Sequence, residues 1–322
     1  MTKYNVDYFD IVIARSCQLA CPGCCTFSDH RAINGTLDIE QAEQDFKFWS
    51  QYVNPQRIHL FGGEPLLHPR LLDIIKLTKK YWPNAKPLWI NTNGYLLDKL
   101  FDKIDFLFVK HKTALSVTHH TLAEPYSSLV LNNYKKLKEL IIVEYTKFNP
   151  TGGFYWDDEK TEWDSDGYKK FTVLKNSLGV EYIMLNLTDQ HQHGFTVHYK
   201  GHGDKLEPSF DYTSDAKFEN HRQCHIKDYV QLYDGKLWKC PPRAVLNQTL
   251  ETYNLQKSSS WAPYYTDYKY LDKTATADEM TDWFTAQRLP ENSCNMCDFL
   301  EEKIRPSKDG RLPKKLFKLK PG

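Results

Sequence analysis

From Phe9 to Leu140, short apolar runs alternate with helix-patterned segments, and this alternation restricts the chain to folds built on a parallel sheet. Phe9–Ala14, Arg57–Phe61 and Pro87–Asn91 read as strands. Ile39–Trp49, entered through Leu37-Asp38, and Leu66–Trp82, stopped by Pro83, carry apolar residues at helical spacing. Leu96–Leu100 reads as a short helix, and Phe106–Val109 with Ala114–His119 as one interrupted strand or two. Ser128–Leu140 reads as a helix feeding the β-rich run Ile141–Tyr145. The first three strands end in Cys17-Gln-Leu-Ala-Cys21-Pro-Gly-Cys24, Gly62-Gly63-Glu64-Pro65 and Asn91-Thr92-Asn93-Gly94. Chemistry is therefore expected at the strands' C-terminal mouth, as in closed (β/α) barrels.

Cys17, Cys21 and Cys24 form a C-x3-C-x2-C triplet. Three thiolates do not fill the four-thiolate shell usual for an iron–sulfur cluster, so one iron stays open. The alternative is a zinc knuckle, with His30 as the fourth ligand, or three core cysteines. The triplet, the "GGEP" run Gly62–Pro65 and the "TNG" run Thr92–Gly94, in this order and at strand ends, resemble the signature of the radical S-adenosylmethionine (radical SAM) enzymes. The resemblance implies an open, partial (β/α)6 TIM-like barrel over residues 1–215. It also implies a [4Fe–4S] cluster whose open iron chelates SAM, and reductive cleavage of SAM to a 5′-deoxyadenosyl radical that takes a hydrogen atom from the substrate. SAM contacts are implied for Gly62, Gly63, Glu64, Pro65, Asn91 and Asn93. Ser116 and His119 stand where the family's fourth strand meets SAM, although alternating polar residues on a strand also face water. Gly23 replaces the aromatic residue that many members carry before the third cysteine, which bears on the subfamily.

The 322 residues, 41% hydrophobic and 26% charged, suffice for a large core and a smaller lobe. No apolar run approaches the roughly 18 residues of a membrane span. The first residues lack the pattern of a signal peptide, so eight cysteines point to a reducing cytoplasm and metal ligation rather than to disulfides.

The middle is less regular. Thr151–Gly167 carries an acidic cluster and reads as a solvated loop leading into a helix near Tyr168–Leu178, or as a lid presenting Tyr155, Trp156 or Trp163 to a substrate. Tyr182–Leu187 and Phe195–Tyr199 read as the last barrel strands, with His191 and His193 as turn residues between them.

After residue 215, Cys224 and Cys240 flank a hairpin pattern, Tyr229–Tyr233 turned by Asp234-Gly235, which brings their ends together. Cys294-Asn-Met-Cys297 completes four thiols, enough for a second metal centre or a zinc ribbon. The layout resembles the twitch domain, the shortened form of the SPASM extension. This implies an auxiliary [4Fe–4S] cluster on Cys224, Cys240, Cys294 and Cys297 within residues 216–322. Arg243 follows one of these cysteines and suits an anionic substrate, the cluster sulfurs or plain solvent. Cys25 remains, as a small buried residue or as a hydrogen-atom donor.

Lys303–Gly322 carries a charge of +7, a basic end that is either solvated or able to hold phosphate-rich partners, nucleic acid included. The resemblance implies a small-molecule, nucleotide or peptide substrate and an external one-electron reductant such as flavodoxin or ferredoxin. Net oxidation is the expected outcome. Epimerisation, C–C or C–X bond formation, and a zinc-stabilised non-catalytic binding protein are the alternatives.

Overall fold

The computed structural model describes residues 3–21, 24–30, 34–158, 161–164, 167–189, 195–197, 199–209, 216–224, 226–266 and 270–304. His191, His193, Gly23 and the basic end beyond 304 lie outside them, as does the side chain of Trp163.

The chain is a mixed α/β fold on one dominant, largely parallel sheet. Strands β1 (Tyr4–Ala14), β2 (Val53–Gly62), β3 (Leu88–Thr92) and β4 (Thr113–His119) pair parallel in sequence order, with helices α1 (Ile39–Trp49) and α2 (Leu71–Tyr81) in the first two crossovers. The long helix α3 (Tyr126–Phe148) follows β4. Then come the short β5 (Tyr155–Asp157) and β6 (Thr161–Asp164), β7 (Gly167–Lys175) and β8 (Glu181–Asp189). β8 joins β4 in parallel, while β7 and β5 extend that edge antiparallel. β9 (Phe195–Val197) pairs with β14 (Asp298–Ile304), and β10 (Tyr199–Lys200) with β11 (Glu207–Pro208), both outside the main sheet. The hairpin β12 (Tyr229–Tyr233) and β13 (Lys236–Trp238) closes the other edge: β12 lies parallel to β1, and β13 antiparallel to β12.

Alternation along the strands decides the two faces. Phe9, Ile11, Ile58, Leu60, Leu88, Ile90, Leu115, Val117, Val230 and Leu232 pack in one core with Phe46 and Trp49 of α1, Ile74 and Ile75 of α2 and Val130 and Leu137 of α3. The opposite face carries Asp10, His59, Asn91, Ser116 and Gln231. Trp49 fastens α1 to the hairpin by donating its indole N–H to the Gly235 carbonyl, 3.0 Å away.

Four expectations are corrected. Ile141–Tyr145 is not strand but the end of α3: Ile141 and Tyr145 are buried on the same stripe as Tyr134 and Leu137, and this helical period overrides the β-branched composition. Tyr168–Leu178 is not helix. Phe171 and Val173 pack on Trp89 and Ala114 across the sheet, a period of two that makes β7 a strand. Phe106–Val109 forms a π-helical turn over Asp105–Lys110, with Leu107 and Phe108 buried, so β4 begins only at Thr113. The sixth parallel strand is β12, from the C-terminal hairpin, and not Phe195–Tyr199.

Candidate active site

The ends of β1, β2 and β3 meet at the sheet's mouth. Cys17, Cys21 and Cys24 sit in the loop after β1, Cys21 buried and the others half-buried. The turn after β2 is laced to the backbone before Cys17: Gly63 N–H donates to the Ala14 carbonyl (2.8 Å) and Glu64 N–H to the Ser16 carbonyl (2.9 Å). A Cβ at Gly62 would lie 2.0 Å from the Ala14 oxygen, and one at Gly63 2.4 Å from the Ser16 oxygen. The glycine pair is thus demanded by the chain's own backbone behind the cysteine loop.

Both oxygens of Glu64 are engaged by the protein. Oε1 accepts from Leu66 N–H (2.9 Å) and the Thr92 hydroxyl (2.7 Å), and Oε2 from Asn93 N–H (2.8 Å). Burial lifts its carboxyl to about 7, against the pull of these donors. Glu64 is therefore the fastener between the β2 turn and the end of β3. Pro65, also buried, starts the 3-10 turn Pro65–Leu67. The fastened Asn93 directs its side-chain N–H toward the Cys17 sulfur (3.6 Å), while its Oδ1 accepts from Gln18 (3.1 Å) and from Tyr95 N–H (2.9 Å). Tyr126, absent from the sequence reading, donates its hydroxyl to the Asn93 carbonyl (2.6 Å). No local pattern marks it, because its role depends on α3 folding back over the strand ends.

The Cys17 thiol is pushed up to about 12, first by burial and then by the negative charges of Glu64 and Cys24. Such a thiol stays protonated at neutral pH unless a cationic centre takes its place on the sulfur. His30, the candidate fourth ligand, instead stacks on His202 at 4.5 Å and meets Tyr199 edge-on at 4.8 Å. Burial, followed by the charge of His202, holds His30 down at about 4 against an ordinary 6.5. Above pH 6.5 this has no effect on stability. As pH falls from 6.5 toward 4 the unfolded chain takes up the proton first, so stability drops, by about 2 kcal/mol at pH 5. Urea unfolding at pH 7 and pH 5 should show that loss in the wild type, and little of it in His30→Phe. Equal losses in both would discard the assignment.

On the sheet's inner face, register sets Asn91, Ser116 and Asn186 side by side on β3, β4 and β8. His119 is separated from them: it points to the helix side, 3.1 Å from the Ser127 hydroxyl and stacked on Tyr126. One step deeper, Asp10 lies 3.0 Å from His59 Nδ1. Beside it on β12 stands Gln231, whose amide atoms are buried without partners among the described residues.

A cavity of about 60 Å³ is lined by Cys224, Cys240, Cys294 and Cys297 together with Lys239 and Arg243. The turn Asn292–Met296 is anchored there by Asn220, whose side-chain N–H groups reach the carbonyls of Cys294 (3.1 Å) and Cys297 (2.7 Å). Burial pushes the Cys240 thiol up to about 12 and raises Cys294 and Cys297 as well; the charge of Arg243 opposes this in all three. The half-buried Cys25 has its thiol raised by desolvation and then by the charges of Cys24, Asp10 and Cys240. Among the described residues, no three His, Cys, Asp or Glu side chains converge closely enough to hold a single metal ion. Nor is any described helix long and apolar enough to cross a membrane.

Residues 11–163 match the family model of the radical SAM superfamily. The chain carries a radical SAM domain. Such a domain implies a [4Fe–4S] cluster and SAM, and the donor set fits: three thiols in one loop, with Cys17 raised by burial and backed by the Asn93 amide. Over 100 residues the chain is 30% identical to a GTP 3′,8-cyclase of Chlorobaculum tepidum, covering 31% of this chain and 29% of that one. It is 28% identical over 103 residues to the GTP 3′,8-cyclase of Microcystis aeruginosa, covering 31% of each. The chain thus spans about three tenths of the length of the curated relatives it matches. Among solved structures it is similar to BtrN in complex with AdoMet and 2-DOIA, at 14% identity and TM-score 0.45 over 92% of this chain and 94% of that one. It is also similar to native anSMEcpe with bound AdoMet and Cp18Cys peptide, at 19% identity and TM-score 0.33 over 43% and 40%.

Proposed function

We propose that this radical SAM enzyme is an oxidoreductase acting on a small-molecule, nucleotide or peptide substrate, and that a second [4Fe–4S] cluster is held by Cys224, Cys240, Cys294 and Cys297. When bound, the cluster on Cys17, Cys21 and Cys24 supplies, with SAM, a 5′-deoxyadenosyl radical that removes a hydrogen atom from the substrate. The chain's residues shape the site around that chemistry. Glu64 and the pair Gly62–Gly63 lock the cysteine loop to the sheet, and Asn93 offers an N–H to the Cys17 sulfur. Asn91 and Ser116, joined by Asn186, present hydrogen-bonding groups on the inner face, where SAM and substrate bind. His119 acts from behind, through Tyr126. The barrel comprises residues 1–215 and the auxiliary unit residues 216–322, whose hairpin completes the sheet. An external flavodoxin- or ferredoxin-like protein provides the reducing electron.

The feature that supports oxidation is the cavity lined by Cys224, Cys240, Cys294 and Cys297, a full set of thiol ligands for a second centre that takes an electron from a substrate radical. Loss of one hydrogen atom, one electron and one proton amounts to a two-electron oxidation. Cys25 directly follows Cys24, whose tie to the cluster turns the neighbouring thiol away from the substrate and disfavours epimerisation. The likeness to GTP 3′,8-cyclases keeps a nucleotide among the substrate classes and bond formation as the second reading.

Protein purified without oxygen should be brown, hold about eight irons per chain and form 5′-deoxyadenosine with SAM and reductant. With a turned-over substrate, mass spectrometry should show a product two hydrogens lighter. A colourless, zinc-loaded protein would replace the enzyme by a binding module. An unchanged product mass with one solvent deuterium, abolished by Cys25→Ala, would establish epimerisation.

A further inference from the structure

The second cysteine cavity contains a feature that its four thiols do not require. Arg243, with 2% of its surface exposed, stands in the first turn of the helix Pro241–Thr252 and lines the same cavity as Cys224, Cys240, Cys294 and Cys297. Pro241 and Pro242 fill the first two helical positions, where a missing N–H does no harm, and start the helix directly after the extended Cys240. Arginine is almost never buried without compensating negative charge. The cavity's other buried cation, Lys239, pairs with Glu291 and donates to the Ala286 carbonyl at 2.6 Å. Arg243 shares this cavity with the sulfurs of all four cysteines.

We propose that Arg243 sets the reduction potential of the second centre upward, making it an acceptor for an electron leaving the substrate radical. This rests on the second-cluster reading above. A four-thiolate cluster is a net anion, and one-electron reduction makes it more negative. A fixed cation in a poorly solvated cavity stabilises the reduced form more than the oxidised one. Arg243 is thus a tuning residue that acts through the cluster, whichever substrate is used.

The test uses full-length protein carrying Cys17→Ala, Cys21→Ala and Cys24→Ala, so that only the second centre contributes, with Arg243, R243K or R243Q. Iron content and an EPR-monitored redox titration are read for each. R243K should keep about four irons and a midpoint near that of the arginine form. R243Q should show a clearly more negative midpoint, or lose its iron where R243K keeps it. A full iron complement with an unchanged midpoint in R243Q overturns the inference, and so does equal loss of iron in R243K and R243Q, which would mean a packing role. If the form with Arg243 intact binds no iron, the second-cluster reading itself fails, and the inference with it.

Discussion

Replacing Cys17, Cys21 and Cys24 together with alanine is expected to reduce 5′-deoxyadenosine formation to the level of a protein-free control while leaving the fold in place. The two halves of this expectation have separate causes. Cys17 is buried enough that its thiol is pushed up to about 12, so at neutral pH it carries no charge unless a metal centre displaces the proton. Such a thiol has no role as a ligand without the metal, and the alanines remove the three sulfurs of the triplet. The fold, by contrast, does not depend on them. A reduced cysteine packs as a small apolar group, and the loop is held by backbone bonds from Gly63 and Glu64 to Ala14 and Ser16. Iron should therefore fall by about four per chain, while circular dichroism and the unfolding midpoint of the metal-free protein stay close to wild type. Continued formation of 5′-deoxyadenosine by the triple variant would show that another set of ligands carries the reaction. Unfolding of the variant would show that the loop is held by its cysteines after all.

The parts of this architecture that were legible in the sequence are those dictated locally. An apolar run closed by cysteines, glycines or asparagine marks the end of a strand whatever follows it, and β1, β2 and β3 end where those patterns stop. The hairpin signal at Asp234-Gly235 has the same character: Asp234 and Gly235 both adopt positive φ, as the turn requires. What escaped the reading was set at a distance. Ile141–Tyr145 has strand composition, but its burial stripe belongs to a helix that starts at Tyr126. Phe171 and Val173 alternate weakly within a polar neighbourhood, and only Trp89 and Ala114, far away in sequence, fix them as strand. β12 became the sixth parallel strand because the exposed edge of β1 was available to it, which no pattern within Tyr229–Tyr233 reveals. Glu64 shows the same limit at the site. Its type and place single it out in the sequence, but they do not reveal that Leu66, Thr92 and Asn93 all donate to its two oxygens. Arg243 could be named from its position after Cys240, but its burial in the cavity lined by the four cysteines depends on bringing Cys294 and Cys297 back to Cys224 and Cys240.

Gly62→Ala is expected to be strongly damaging although it replaces none of the cysteines. Gly62 has φ +136°, a conformation that side-chain-bearing residues rarely adopt, and its missing Cβ would lie 2.0 Å from the Ala14 oxygen. That oxygen cannot simply move. It accepts the Gly63 N–H at 2.8 Å, and Ala14 is both the last residue of β1 and bridged to Thr36. Relief must come from parting the β1 and β2 ends, which displaces Ser16 and the cysteine loop behind it. Backbone strain and the lost contact together put the destabilisation at about 3 kcal/mol or more. Gly179→Ala is the control, because it isolates the conformational part. Gly179 also has positive φ, at +75°, but nothing lies within 4 Å of its added Cβ, so the expected loss is about 1 kcal/mol. Urea unfolding of the metal-free proteins compares the two, and iron content after anaerobic reconstitution reports on the loop. Gly62→Ala should lose iron at the first cluster with Cys17, Cys21 and Cys24 all intact, while Gly179→Ala should load fully. Equal stabilities and equal iron in the two variants would mean that the close approach of β2 to Ala14 does not shape the cysteine loop, and that the glycine pair is held there for contact with SAM alone.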